Sequence, residues 1–151
     1  MKLGVLSVSA LLMLATVRLA TDSDRKYVNL PRPAGFSSAP FSDAVLAGGT
    51  LYVGGHIGLD PKSGQPPVTA EEEAKLAMDS TKQTLEAAGM TMDDLVFVEV
   101  HCSDVALYET FNAVYKTYFR GDYPARAFLG SGKLLRGARF EVAGTAVKRA
   151  K

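Results

Sequence analysis

The sequence predicts an α+β domain in the order β-β-α-β-α-β-β, one mixed sheet with two helices on one face. Three observations carry this reading. A glycine pair, Gly48-Gly49, separates two segments of strand composition. Two stretches with apolar residues every three or four positions flank residues 95–102, where the character alternates residue by residue. Pro124, which favours an extended residue before it, leads into two further strand-like segments.

Taken in order, residues 1–22 stand apart. A short basic start at Lys2 precedes an apolar run from Val5 to Val17, too short to span a bilayer. This is the shape of a secretory signal peptide and predicts an exported protein without a stable membrane anchor. Cutting after Ala20 would leave Arg18 where a small residue is preferred; cuts after Ala15 or Ser23 are the alternatives. If Met13 is instead the true start, the protein is cytoplasmic. Residues 23–40, with Pro31, Pro33, Gly35 and Pro40, read as an extended lead-in rather than a packed element, and the domain proper as 41–151.

A hairpin opens the domain, with residues 43–47 as one arm and 50–59 as the other. In the second arm Leu51, Val53 and Ile57 face one side; Tyr52, Gly54, His56 and Gly58 face the other. Glycines weaken a strand, so three in this arm mark a close approach to its backbone. Residues 60–64 form a turn. Thr69 with Glu72 three residues later is a capping box. The helix it opens carries Ala70, Ala74, Ala77, Thr81, Leu85 and Ala88 on one narrow face and stops at Gly89. The strand at 95–102 puts Val96, Val98, Val100 and Cys102 on one face, Leu95, Phe97, Glu99 and His101 on the other. Ser103 or Asp104 caps the second helix, whose buried side is Tyr108, Phe111, Tyr115 and Tyr118.

The last two strands hold the candidate chemistry. Arg126 is the second residue of a strand starting near Ala125. After the loop at 130–137, a strand over 138–148 points Phe140, Val142, Gly144 and Ala146 one way, and Arg139, Glu141, Ala143 and Thr145 the other. Two strands thus carry a guanidinium and a carboxylate, fifteen positions apart, within reach of one pocket. Arginine suits two-point capture of a carboxylate, and glutamate can act as general base or acid. The alternative is an Arg126–Glu141 salt bridge on the sheet surface.

At 151 residues the chain fits one domain able to bury its own core. With 17 basic against 16 acidic residues and no block of like charge, it lacks the cationic footprint of a nucleic-acid binder. The one cysteine, Cys102, rules out an internal disulfide and a cysteine-based metal cluster. Two helices cover one face of a sheet. The other face, with Leu95, Phe97, Ala143 and Val147 beside Glu99, His101 and Glu141, is expected to be buried by other copies of the chain. Polar groups at such a seam are natural site material.

Several segments resemble the RidA family, also called YjgF or L-PSP. They are Pro40-Phe41-Ser42-Asp43-Ala44-Val45, Gly54-Gly55-His56-Ile57-Gly58-Leu59-Asp60-Pro61 and Leu85-Glu86-Ala87-Ala88-Gly89. Further on come Phe111-Asn112-Ala113-Val114-Tyr115, Pro124-Ala125-Arg126 and Phe140-Glu141-Val142. The resemblance covers about residues 26–149. It implies a chorismate-mutase-like fold, a homotrimer with clefts between subunits, and cofactor-free, metal-free hydrolysis of enamines and imines to 2-oxo acids and ammonia. On that resemblance Arg126 clamps the substrate carboxylate and Glu141 positions or activates water. Phe41, Gly55, His56, Ile57, Asn112 and Phe128 border the substrate, Asn112 being equally readable as a structural cap or a subunit contact. The alternative is a trimer of the same family that binds a small metabolite or protects clients without turnover.

The chain also departs from the family pattern. Phe41 stands where many members carry tyrosine, His56 replaces a usual glutamine, Phe128 replaces a cysteine or small residue, and the loop at 130–137 lacks a proline. Gly130-Ser131-Gly132-Lys133 is not a phosphate loop, since Leu134 stands where Ser or Thr is needed. Two histidines on different strands are a weak metal signal beside satisfied interface histidines. Cys102, on the apolar side of its strand, reads as a small core residue.

Overall fold

The computed structural model describes residues 25–31 and 39–149. The expected signal peptide at 1–22, and residues 23–24 and 32–38 of the expected lead-in, lie outside the described residues. The elements are β1 (Arg25–Val28), β2 (Ala44–Ala47), β3 (Thr50–Ile57), α1 (Ala70–Ala87), β4 (Leu95–Cys102), α2 (Tyr108–Tyr115), β5 (Ala125–Gly130) and β6 (Phe140–Val147). They form one six-stranded sheet in the order β1-β2-β3-β6-β4-β5. Only β4 and β5 pair in parallel, which the crossover through α2 requires. The predicted order is therefore present with one strand more. Arg25–Val28, expected as lead-in, pairs antiparallel with β2 from Arg25↔Ala47 to Val28↔Ala44. Its alternation of Tyr27 outward and Val28 inward is too short to read without the partner strand.

Helix α1 begins where the capping box places it. The Thr69 hydroxyl accepts from Glu72 N at 3.2 Å and donates to Glu72 Oε2 at 3.0 Å. Gly89, at φ +73°, ends it. Ala74, Ala77, Thr81 and Thr84 let the helix lie close on the sheet, where Met78 and Leu85 meet Leu51, Val100, Phe140 and Val142. Burying a side chain of that size contributes about 1.5–3 kcal/mol. The second helical segment is not continuous from residue 103 or 104 to 118. Asp104 caps a 3-10 turn, α2 follows, and a second 3-10 turn runs over Lys116–Tyr118.

Two β-bulges shift the alternation expected from sequence. In β3, Val53 pairs with Gly144 but His56 pairs with Val142, so one residue is inserted at Gly54-Gly55. His56 therefore lands on the helix side with Leu51 and Val53, and Ile57 on the open side, the reverse of the expectation. In β4, Leu95 pairs with Ala146 and Phe97 with Thr145. Leu95 is accordingly buried and Val96 exposed, again reversed.

A buried acid ties these layers together. Glu73, on α1 and fully buried, accepts from the backbone N–H groups of Arg139 and Phe140 and pairs with Arg139 Nη1 at 2.5 Å. Arg139 in turn donates to the carbonyls of Pro67 and Val68. Its guanidinium thus turns to the helix side, not to the Glu141 side. Glu73→Ala removes the ion-pair partner of that guanidinium and leaves two backbone N–H donors unmatched, and is expected to destabilise the chain by about 3–5 kcal/mol in chemical denaturation. Glu73→Gln, which keeps an acceptor, is expected to lose less.

Candidate functional site

Arg126 and Glu141 do not share a pocket within one chain. Arg126 pairs with Val98, a buried residue of the helix side, whereas Glu141 pairs with Ile57 and His101 of the open side. Successive residues of a strand point to opposite faces, so the two groups lie on opposite faces of the sheet with β4 between their strands. This overturns both the single-chain pocket and the surface salt bridge expected from the sequence.

Each group instead anchors its own half-site. The first lies at β5, an edge strand, against α2. Arg126 Nη2 donates to Asn112 Oδ1 at 2.8 Å, and the guanidinium carbon sits 4.5 Å from the centre of the Tyr115 ring. The Tyr108 and Phe128 rings are each 5.7 Å away, so three aromatic faces and one amide hold the cation. Phe128 packs edge-on against Tyr108 and Phe111. Burial pushes the Tyr115 hydroxyl up to about 12, the Arg126 charge pulling the other way, and that hydroxyl has no hydrogen-bond partner among the described residues. A cleft of about 400 Å³ opens here, lined by Tyr108, Asn112, Tyr115, Tyr123 and Arg126. Arginine held by one edge in this way keeps its remaining N–H groups for a carboxylate.

The second half-site is on the open face of β3 and β6. The Glu141 side chain lies directly over Gly55: a Cβ at that position would be 2.0 Å from Glu141 Oε1. Ile57 stands beside it across the strand pair. Asp43 accepts from Gly54 N at 2.9 Å through its carbonyl, fixing the inserted residue. Phe41 is more than half exposed and lines a separate cleft of about 760 Å³ with Tyr27, Asn29, Leu30 and Val45. His56 belongs to neither half-site. It is buried beneath the bulge, its ring nitrogens 3.0 Å and 3.2 Å from the hydroxyls of Ser80 and Thr84 on α1, so it fastens β3 to the helix rather than bordering a ligand.

Sequence reasoning placed Arg126, Glu141, Phe41, Gly55, His56, Ile57, Asn112 and Phe128 in one site; the structure gathers Asn112 and Phe128 around Arg126, and Gly55 and Ile57 around Glu141, on opposite faces of the sheet. Sequence reasoning missed Tyr108 and Tyr115 as the platform for Arg126, although their spacing from Asn112 on one helix carried the signal. It gave no role to Glu73, since an acid in a helix first turn ordinarily faces water. Cys102 is fully buried, its thiol donating to the Asp104 carbonyl, and burial pushes that thiol up.

Known proteins share this fold. The sequence profile described as Endoribonuclease L-PSP matches residues 32–148. The mouse (Mus musculus) protein named 2-iminobutanoate/2-iminopropanoate deaminase is 42% identical over 110 residues, covering 72% of this chain and 82% of its own. Among solved structures, the E. coli YjgF gene product superposes with a TM-score of 0.74 at 28% identity, over 82% of this chain and 99% of that one. The E. coli protein TdcF, solved with bound serine, gives 0.74 at 25% identity, over 82% and 100%.

Two glycines near the bulge separate site geometry from stability. A Cβ at Gly55 meets only the movable end of Glu141, whereas a Cβ at Gly58 would be 2.0 Å from the Glu73 carbonyl oxygen, which is backbone. Gly55→Ala is expected to unfold within about 1 kcal/mol of the parent and, in its crystal structure, to show the Glu141 carboxylate displaced. Gly58→Ala is expected to lose about 1–3 kcal/mol or more in the same denaturation experiment.

Proposed function

The chain belongs to the L-PSP family, also called RidA or YjgF, and from that premise we propose that it is a cofactor-free imine deaminase working as a homotrimer. It hydrolyses enamines and imines derived from amino acids to 2-oxo acids and ammonia. The observation that carries this reading is the splitting of the site. Arg126 sits on an edge strand and Glu141 on an uncovered sheet face, so a second copy is what can set one against the other. An open face with Tyr52, Phe97 and Val147 exposed supports coverage by such copies.

In the proposed cleft the Arg126 fork, steadied by Asn112 and Tyr115, holds the substrate carboxylate and so fixes the imine carbon in place. Pre-oriented binding of this kind can supply several kcal/mol of the barrier. Glu141, from the neighbouring copy, takes a proton from water as it adds to the carbon, and stabilises the cationic imine beside it. Gly55 leaves the room over β3 that the carboxylate occupies. The name of the mouse relative and the serine seen in TdcF agree with a small amino-acid-derived ligand. The family description mentions a ribonuclease, but 17 basic against 16 acidic residues provide no stripe for a phosphate backbone. The apolar run from Val5 to Val17 supports export; N-terminal sequencing of protein recovered outside the cytoplasm is expected to start beyond residue 15.

The test is ammonia release from imines generated in place by an amino-acid oxidase. The parent protein is expected to accelerate it, with Arg126→Ala and Glu141→Ala each about 10²-fold slower and Arg126→Lys also impaired through loss of the fork. Refolding the two alanine variants together is expected to restore activity in roughly a quarter of the clefts, because a cleft then draws an intact arginine and an intact glutamate from different copies. Ligand binding without turnover in the parent would favour the non-catalytic reading.

A further inference from the structure

Beside Glu141 on the open face lies a second pair of titratable groups that the proposed chemistry has not used. His101 is the residue of β4 directly opposite Glu141 in the β4–β6 pairing, and directly opposed residues have Cβ atoms about 4.5–5.5 Å apart. Its Nε2 is 2.6 Å from Oε1 of Glu99, two residues back on the same face. A carboxylate offers acceptors only, so Nε2 carries the proton and Nδ1 is left with its lone pair. Nδ1 has no partner among the described residues. Both side chains are about one-third exposed, 35% for His101 and 37% for Glu99.

The surroundings make this more than an exposed ion pair. The positions facing His101 and Glu99 from β5 are Leu129 and Ala127; those from β6 are Glu141 and Ala143. Glu141 is thus the one titratable group facing the pair from these neighbouring strands, and Ile57 lies beyond it on β3. The arrangement is an imidazole oriented by one carboxylate and set next to another, the relation by which a base is usually poised. Among the described residues no cluster of three such groups is arranged to hold a metal ion, so a metal is not what gathers them.

We propose that His101, oriented by Glu99, is the second proton acceptor of the site, taking the hydroxyl proton of the tetrahedral adduct as it collapses. The inference rests on the deaminase reading. Imine hydrolysis moves two protons in sequence. Water adds to the carbon of the protonated imine and its proton passes to Glu141; Glu141 returns that proton to nitrogen, giving an ammonium-like leaving group. As the C–N bond breaks and the C=O bond forms, the hydroxyl proton leaves, and His101 Nδ1 receives it directly or through one water. Ammonia departs, and the imidazolium passes its proton to solvent.

The experiment compares kcat and KM for the parent, His101→Ala and Glu99→Gln, with and without added imidazole, and with Arg126→Ala as reference. His101→Ala is expected to lose about tenfold or more in kcat with KM little changed, and to recover on adding imidazole. Glu99→Gln, which keeps the shape of the pair, is expected to lower kcat by a smaller factor than His101→Ala, with KM little changed. Parent turnover with His101→Ala equally fast, or slow but not rescued by imidazole, overturns the proposal and leaves the deaminase reading standing. If His101→Ala fails to fold, His101→Asn, which keeps a polar side chain beside Glu99 but no base, takes its place, and turnover as fast as the parent's overturns the proposal. No turnover in the parent overturns both.

Discussion

The carboxylate of Glu73 sits fully buried between α1 and the start of β6, where it accepts from two backbone N–H groups and pairs with Arg139. A buried charge is tolerated only when so fully compensated. The compensation ties three separate segments to one point: the helix, the first residues of β6, and through Arg139 the loop carbonyls of Pro67 and Val68. Glu141 is the next residue after Phe140, whose N–H Glu73 holds. The register that places Glu141 on the open face opposite Ile57 and His101 is therefore anchored from the far side of the sheet, and Gly58 must lack a side chain because the Glu73 carbonyl occupies that space.

With β6 fixed, the inserted residue in β3 decides what surrounds Glu141. Had the strand run without a bulge, His56 would face the open side and Ile57 the core. Instead His56 closes against the Ser80 and Thr84 hydroxyls of α1, and Gly55 leaves a bare stretch of backbone over which the Glu141 carboxylate lies.

Arg126 is held by different means. Its guanidinium rests among Tyr108, Tyr115 and Phe128 with Asn112 on one edge, a setting that restricts its rotamers without neutralising its charge. Phe128, the departure from a small or cysteine residue, is thus part of the wall behind the cation. A charge braced on an edge strand and an acid lying on an open face are the two features from which the proposed site between copies is argued.

Much of this was legible in the sequence. The Thr69–Glu72 capping box, Gly89 and the hairpin glycines are local signals, because caps and positive φ depend on a few neighbouring residues. The alternation of Val98, Val100 and Phe140, Val142 marked the core face for the same reason. Ordered motifs around Arg126 and Glu141 singled out the candidate residues. What the sequence could not decide was the face. A β-bulge adds one residue and inverts all that follows it, and the two here, at Gly54-Gly55 and at Val96, form through pairing with β6, nearly ninety positions from the first and nearly fifty from the second. The burial of Glu73 likewise depends on residues 66 positions away. Local chemistry set which elements form and which residues matter; long-range strand pairing set which of those residues meet, because only the paired sheet fixes the direction in which each side chain points.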